Sequence, residues 1–405
     1  MTRLAVHTLL FTAFLLAACA SPPSQGEGTG VRATATPLPT STTAPIPTAT
    51  PVPTAVAPSP TPAVPAPAPS EPSPNLSHIT TRPKPTIRLG SSNTSVAGLI
   101  SLPELGAGTY LGFQGGLYPG GSNEPPPEWE AAGLAAAAEV VPRDANGDPN
   151  PDGKIVLLSI GMSNASHEWS GRSAYFADVA EGFMEQAAAY PDRNPQVVIV
   201  NGAVPGRAAN SIVPGGVFYD TYWPMVMERL SQAGVSAAQV QVVWLKNTNP
   251  CPGQTICAGG NLTPARGDWP GYAQELQHDL EQIVEELEAR FPNLKQIFVS
   301  PRTYGGYALA PLNPEPFAFE TGFAFKWLIE ERIKAGRTSP WLDWGPYLWA
   351  NGLTPNPQGL TWTYDDFVEE DRTHPSPSGV AKVGGALLDF FTSSPYTRSW
   401  FVARP

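Results

Sequence analysis

The sequence has few of the residues that bind metals or follow a nucleic acid backbone. Its 405 residues include three cysteines and five histidines, and no Cys-x-x-Cys pair or Cys/His quartet is present. A structural zinc site needs such a set of ligands, so we expect no metal and no cofactor. Acidic residues outnumber basic ones by 35 to 24, and no run of lysine or arginine is long enough to track phosphates. Nucleic acid is therefore excluded as an expected partner.

The N-terminus has the pattern of an exported lipoprotein. Arg3 supplies a positive charge, and residues 9–18 form an apolar run that is too short to span a bilayer comfortably. Residues 16–19, Leu-Ala-Ala-Cys, resemble the lipobox of bacterial lipoproteins. The resemblance implies a signal peptide over residues 1–18, acylation of Cys19 and anchoring to the outer face of the bacterial membrane. The alternative is an ordinary signal peptide that happens to contain a cysteine.

Proline is unevenly distributed along the chain. Eighteen of the 48 prolines lie between residues 20 and 88, in a stretch of Pro, Thr, Ala and Ser with few charges. Such a stretch cannot bury enough surface to fold. We expect residues 19–88 to be a disordered spacer, and we disfavour a ligand for a proline-binding module because no repeated, basic-flanked Pro-x-x-Pro pattern is present.

The stretch from residue 89 to residue 153 is rich in glycine and proline, and we expect an irregular N-terminal part of the folded domain. Residues 144–152 carry oxygen-bearing side chains at alternate positions, as a calcium loop does. However, Pro149 stands where an EF-hand needs glycine and Ile155 where it needs glutamate. A turn without calcium is the favoured interpretation. Further along, Cys251 and Cys257 are close in an exported chain, so we expect a local disulfide.

From residue 154 to residue 400, short apolar runs alternate with stretches of helical periodicity, which indicates strand-helix units that feed a parallel sheet. The expected strands are 155–160, 197–200, 240–245, 297–300 and, less regular, 341–350. The expected helices are 174–190, 219–233, 272–291, 317–334 and 378–392. The pattern predicts an α/β fold with three layers, α/β/α, around a mostly parallel five-stranded sheet. The acidic residues of helix 272–291, Asp279 among them, are expected on a solvated face.

Ligands of such a sheet bind at the carboxyl ends of its strands, and two segments there suggest acyl-transfer chemistry. Ser163 follows the first strand, and His374 lies before the last helix with Asp371 three residues ahead of it. A serine hydroxyl needs a base oriented by a carboxylate to become a nucleophile. His7 and His78 lie before the folded domain and His278 on the solvent side of its helix. His167, the other histidine near the site, has no suitably placed carboxylate.

These segments resemble the SGNH or GDSL hydrolases, esterases with a Ser-His-Asp triad on a flavodoxin-like sheet. The likeness covers residues 155–391 and is strongest at Asp-x-x-His-Pro, here residues 371–375. It implies that Ser163 is the nucleophile, His374 the base and Asp371 its orienter. It also implies oxyanion donors at Gly206 and at Asn247, with Asn249 as the runner-up. Met162 stands where the family has aspartate.

The resemblance implies a cell-surface esterase that removes acetyl or other short acyl groups, with carbohydrate as the favoured substrate and lipid as the less favoured. Seven tryptophans, some of which could line a sugar cleft, favour carbohydrate: Trp169, Trp223, Trp244, Trp269, Trp341, Trp344 and Trp349. Core packing is the simpler interpretation for any one of them. The alternatives are a tethered carbohydrate-binding module without turnover and, with less support, a metal-dependent hydrolase.

Overall fold

The chain from residue 96 to residue 154 forms short elements that precede the central sheet. The computed structural model describes residues 96–257 and 260–403. Its first elements are α1 (Leu102–Leu105), the strands β1 (Thr109–Tyr110) and β2 (Phe113–Gln114), which pair antiparallel, and α2 (Pro127–Ala138). The signal peptide expected over residues 1–18, Cys19 and the spacer expected over residues 19–88 lie outside the described residues.

Strands and helices then alternate along the chain, and five strands form a parallel sheet. The elements are β3 (Ile155–Gly161), α3 (Ser163–Ser170), α4 (Phe183–Ala189), β4 (Val197–Asn201), α5 (Ala209–Ile212), α6 (Tyr219–Gln232), β5 (Val240–Lys246), α7 (Gly271–Arg290), β6 (Gln296–Val299), α8 (Phe317–Ala335), β7 (Trp341–Trp344), α9 (Pro377–Ser393) and α10 (Arg398–Phe401). The sheet order is β4-β3-β5-β6-β7, and every pair is parallel. The predicted α/β fold is confirmed, and the strand order is the flavodoxin-like one.

The helices form two groups, as expected for a sheet that is covered on both faces. Helices α3, α4, α9 and α10 contact one another, and helices α5, α6, α7 and α8 form a second connected set. Right-handed crossovers place these sets on opposite faces of the sheet. Strands β3, β5, β6 and β7 are buried throughout, which explains why their sequences are apolar rather than alternating.

The N-terminal stretch packs on the side chains of β7, the strand at one edge of the sheet. Tyr118 donates its hydroxyl proton to Asp343 Oδ1 over 2.7 Å. The indole N–H groups of Trp341 and Trp344 donate to the carbonyls of Trp129 and Leu117. Part of the stretch that the sequence predicted to be irregular is therefore held to the last strand of the sheet by hydrogen bonds.

One predicted helix differs clearly from the structure. The sequence predicted a single helix over residues 174–190, whereas a helix begins at Ser163, ends at Ser170, and is followed by an irregular segment before α4 begins at Phe183. Gly171 adopts a left-handed φ of 68°, which ends α3. The alanines after residue 173 suggested helix, but residues 172–178 contribute to a cavity wall instead.

Two smaller expectations concern local geometry. Cys251 and Cys257 form the expected disulfide. In the loop that resembles a calcium site, Asp144 Oδ1 accepts the backbone N–H groups of Asn146 and Asp148, so this carboxylate closes a turn. Within the described ranges, no cluster of three or more metal-ligating side chains occurs, and no helix has both the length and the apolar character of a bilayer span.

Candidate active site

The order of the strands in the sheet switches direction between β3 and β5, and a cavity opens at the carboxyl ends of these two strands, where ligands of such sheets bind. Gly161, the last residue of β3, approaches β5 so closely that a Cβ there would lie 2.1 Å from the carbonyl oxygen of Lys246. Only glycine allows this approach, which brings the start of α3 beside the end of β5.

The cavity has a volume of about 550 Å³ and is lined by residues from five separate segments of the chain. These residues are Met162, Ser163, Asn164, Ser166, His167, Arg172, Ser173, Ala174, Tyr175, Asp178, Pro205, Gly206, Ala208, Thr248, Pro250, Leu262, Arg302, Leu312, Asn313, Thr373 and His374. Such a volume suits a small ligand or one unit of a longer one.

The structure brings Ser163, His374 and Asp371 into one hydrogen-bonded chain. Ser163 Oγ lies 2.8 Å from His374 Nε2, and His374 Nδ1 lies 2.5 Å from Asp371 Oδ2. The other carboxylate oxygen of Asp371 accepts the backbone N–H groups of Thr373 and His374. A hydroxyl, an imidazole and a carboxylate in this order can transfer the serine proton to the ring while the carboxylate fixes the ring.

The electrostatic state of Asp371 suits this arrangement. Burial would raise the pKa of its carboxyl group, but the hydrogen bond and charge of His374 and the two backbone N–H groups outweigh burial and lower the pKa to about 2. Asp371 is therefore ionised at neutral pH. His167, whose ring centroid lies 5.6 Å from that of His374, stays neutral because burial and the neighbouring His374 lower its pKa to about 4.

The loop that carries His374 is held rigidly. Arg372 has a left-handed φ of 49°, which is strained for a residue with a side chain. Its guanidinium donates to the carbonyls of Tyr364 and Phe367 and lies 3.7 Å from the Tyr364 ring centroid. The Val368 N–H donates to the carbonyl of His374. These contacts fix the backbone on both sides of the imidazole.

Helix α3 is tied both to this loop and to β5. Asn164 donates its amide N–H to the carbonyl of Thr373 over 3.0 Å. Glu168 forms an ion pair with Lys246 at the end of β5, and both side chains are almost fully buried. The Glu168 carboxylate is thus engaged by Lys246, although Glu168 follows His167 directly in the sequence. Ser163, the first residue of α3, is therefore anchored from two sides.

The predicted oxyanion donors occupy different surroundings. Gly206 lines the cavity and has a left-handed φ of 74°, which its lack of a side chain permits. Asn247 is buried at the end of β5 and does not line the cavity, where Thr248 takes the corresponding place. The Asn247 amide nitrogen donates to the carbonyl of Arg207 over 3.1 Å, and its oxygen accepts the Thr248 N–H. One of its two amide hydrogens remains after the bond to Arg207.

The runner-up for this position, Asn249, is engaged elsewhere. Its amide nitrogen donates to Asp279 Oδ2 over 2.6 Å, and its oxygen accepts the Asn210 N–H. Asp279 is 8% exposed, so the expectation of a solvated position for this residue was wrong. The helix turns Asp279 toward the loop after β5 because it lies three residues after Leu276 and next to Leu280, on the edge of the buried stripe.

Replacing Asp279 by asparagine is expected to stabilise the protein more at neutral than at acid pH. Burial raises the pKa of Asp279 to about 6, although the hydrogen bond from Asn249 opposes this. In the unfolded chain the pKa of this carboxyl is about 3.9. Between this pKa and the native one, the native state binds more protons than the unfolded state, so the free energy of unfolding falls as the pH rises through this range. The variant should therefore gain more melting temperature, relative to wild type, at about pH 7.5 than at about pH 4. Equal gains at both pH values would contradict the prediction.

The seven tryptophans proposed for a sugar cleft do not line the cavity. Six are buried in the core and Trp269 is half-buried against Tyr110, Phe113 and Phe323. Trp169 and Trp244, for example, stack with their ring centroids 5.2 Å apart, which packs α3 on β5. Core packing was the right interpretation for these residues. Tyr175 is the aromatic ring at the cavity, and it lies on His374 at 4.8 Å between centroids.

Several cavity residues were missed from the sequence, among them Arg302, Asn313 and Thr248. Arg302 follows β6 by three residues, so the rule that ligands bind at strand ends would have identified it. Asn313 lies in a long loop, and the sequence carries no signal that its side chain reaches the cavity.

Comparison with known proteins found no matching family model and no matching curated protein. Solved structures do match. They include a carbohydrate esterase whose active site is described as having divergent catalytic and non-catalytic binding functions (TM-score 0.37, 11% identity, 61% of this chain and 68% of that chain). They also include an extracellular lipase from Streptomyces rimosus (0.31, 13%, 58% and 99%) and the acetylxylan esterase Axe2 from Geobacillus stearothermophilus (0.32, 17%, 62% and 97%). Likenesses with TM-scores this low decide nothing about function, which rests on the site's geometry.

Proposed function

We propose that this protein is a serine esterase with Ser163 as nucleophile, His374 as general base and Asp371 as the residue that orients His374. The contact of 2.8 Å between Ser163 Oγ and His374 Nε2 carries the proposal. These residues are 211 positions apart in the sequence, and they meet at the wall of a cavity at the carboxyl edge of the sheet. The hydrogen bond from His374 to an ionised Asp371 supplies the third element of the triad.

The proposed reaction has two halves. His374 Nε2 takes the proton of Ser163 as Oγ attacks the ester carbonyl, and the imidazolium then gives that proton to the leaving alcohol. Water attacks the acyl-enzyme in the second half, with His374 again as the base, and releases the carboxylic acid. Asp371 keeps Nδ1 of His374 protonated and stabilises the imidazolium. The net change is the hydrolysis of one ester to one acid and one alcohol.

The negative charge that develops on the carbonyl oxygen needs donors that are already in place. We assign the backbone N–H groups of Ser163 and Gly206 to this role, because both residues line the cavity. Asn247 supports them, since its bond to the Arg207 carbonyl holds the turn that contains Gly206. Loss of one such donor typically costs about 3 kcal/mol of transition-state stabilisation.

Acyl groups on carbohydrate are the proposed substrates, and the outer face of the bacterial membrane is the proposed location. The lipobox-like residues 16–19 and the proline-rich spacer support the location. Hydroxyl and amide side chains around Ser163, such as Asn164, Ser173 and Asn313, supply the polar contacts that a sugar needs. Tyr175 is the one aromatic ring at the cavity among the described residues, so recognition of a sugar would depend mainly on hydrogen bonds.

The test is esterase activity of the full-length protein on 4-nitrophenyl acetate and on an acetylated xylan, before and after treatment with EDTA. Wild type should hydrolyse both with EDTA present, and Ser163→Ala should lose the activity. Ser170→Ala is the matched control, because this hydroxyl lies on the same helix and donates to the Ser166 carbonyl. Equal rates for wild type and Ser163→Ala would favour a binding module without turnover. Loss of activity with EDTA would favour a metal-dependent hydrolase.

A further inference from the structure

Arg302 is a buried cation at the cavity that the proposed triad does not use. It follows β6 and lines the same cavity as Ser163 and His374, with an exposed fraction of 1%. Its Nε donates to Asn313 Oδ1 over 3.1 Å, and Asn313 is itself held by a hydrogen bond to the Tyr272 hydroxyl. The Nη1 atom is buried without a hydrogen-bond acceptor. One hydrogen bond thus fixes the Arg302 side chain, but its Nη1 donor has no acceptor.

The nearby carboxylates are already engaged with other groups. Glu168 pairs with Lys246 and Asp371 with His374. Glu315 accepts three N–H groups, from Gly305, Phe319 and the Trp349 indole. No carboxylate of the described residues lies within ion-pair distance, 4.0 Å, of the Arg302 guanidinium. Burial lowers the pKa of Arg302, and the more distant charges of Glu168 and Asp371 oppose this shift, so the side chain keeps its positive charge.

Among the described residues, the other charged groups that line the cavity form no ion pair with Arg302. Arg172 and Asp178 pair with each other over 3.4 Å at the exposed mouth. His167 is neutral, as described above. Because an unpaired buried charge is costly to a folded protein, an arginine of this kind beside a nucleophile indicates that an anion from the substrate completes its coordination.

We propose that Arg302 binds a carboxylate group of the ester substrate, so that this protein acts preferentially on esters that carry a negative charge. The planar guanidinium can donate two parallel hydrogen bonds to a carboxylate, a geometry that lysine cannot provide. The proposal rests on the proposed esterase function. The carboxylate can belong to the acyl part, as in a half-ester of a dicarboxylic acid, or to the alcohol part, as in an acylated uronic acid.

Two pairs of substrates distinguish these sources. In the first pair, mono(4-nitrophenyl) adipate is compared with the same compound methylated on its free carboxyl group. In the second, an acetylated methyl glucuronoside is compared with the acetylated methyl glucoside. We expect kcat/KM to favour the charged member of one pair by about 10- to 100-fold, as for a charge-assisted hydrogen bond. Arg302→Gln should bring that ratio close to one, and Arg302→Lys should restore only part of it.

Arg172→Gln is the matched control, because this arginine lies at the exposed mouth and is already paired with Asp178. It should leave the ratio of charged to neutral substrate within about twofold of wild type, since exposed ion pairs contribute little. A ratio near one in both substrate pairs with active wild-type enzyme would overturn the proposal. So would an equal loss of the ratio in the Arg172 variant.

Binding without turnover separates this proposal from the esterase itself. Sodium glucuronate and sodium adipate are added to the Ser163→Ala protein, and the melting temperature is compared with that in glucose and in sodium chloride of equal ionic strength. One of the carboxylates should raise the melting temperature, and Ser163→Ala/Arg302→Gln should show no rise. This result would support the carboxylate site even if Ser163 proved unnecessary for hydrolysis. The absence of any rise in Ser163→Ala would overturn the site.

Discussion

Replacing Ser163 and His374 together by alanine is expected to cost no more activity than replacing either one alone. Each single change should lower kcat by about 10⁴-fold or more, because a base without its nucleophile and a nucleophile without its base are equally ineffective. The effects of the two changes would multiply if the residues acted independently. The measurement is kcat on 4-nitrophenyl acetate for both single variants and the double variant, corrected for the uncatalysed rate.

His167→Asn is the matched control for this experiment. Both histidines are buried and line the cavity, and their ring centroids lie 5.6 Å apart. His374 has an acidic partner at 2.5 Å, whereas the ring nitrogen of His167 faces Ser173 Oγ at 3.4 Å. We expect the His167 variant to keep at least about a tenth of the activity, since it removes no proton-transfer step. A larger loss in the His167 variant than in His374→Ala would contradict the assignment of the base.

The sheet and the place of Ser163 at its carboxyl edge could be predicted from the apolar runs of the sequence, whereas His374, which lies well beyond the end of β7 at Trp344, was linked to Ser163 by the family resemblance. Strands buried on both faces are continuous apolar runs, and the chain leaves each of them at the same edge of the sheet. Residues that follow such runs therefore lie close together in space even when they are far apart in sequence. The position of Asp371 three residues before His374 is a local signal, because a carboxylate at this spacing can reach the imidazole without help from the rest of the fold.

The rest of the site depends on contacts that no local pattern specifies. Residues 172–178 are rich in small and apolar residues and therefore resemble a helix. In the structure they form part of the cavity wall instead, and the Tyr175 ring packs on His374. The orientation of Asn247 follows from the position of the Arg207 carbonyl on another loop. The partner of Lys246 is Glu168, 78 residues away. Such pairings become visible only when the distances between segments are known.

The ion pair of Lys246 and Glu168 carries the largest expected effect on stability. Lys246→Met should lower the free energy of unfolding by about 3–5 kcal/mol, because it leaves the buried Glu168 without its partner. Burial raises the pKa of Glu168 and lowers that of Lys246 to about 8, and the attraction between the two groups opposes both shifts. Each charge is thus tolerated in the interior because of the other. The measurement is urea denaturation of wild type and variant at neutral pH.

The double variant Lys246→Met/Glu168→Leu separates two roles of the ion pair: its effect on the stability of the fold and its effect on the position of Ser163. It removes both charges and fills the space with apolar groups, so most of the lost stability should return. Glu168 lies on α3, the helix that begins at Ser163, and Lys246 is the last residue of β5, so the pair also ties Ser163, the proposed nucleophile, to the end of β5. If the pair positions Ser163, the double variant should regain stability but retain a reduced kcat. Full recovery of both would show that the ion pair contributes only to folding.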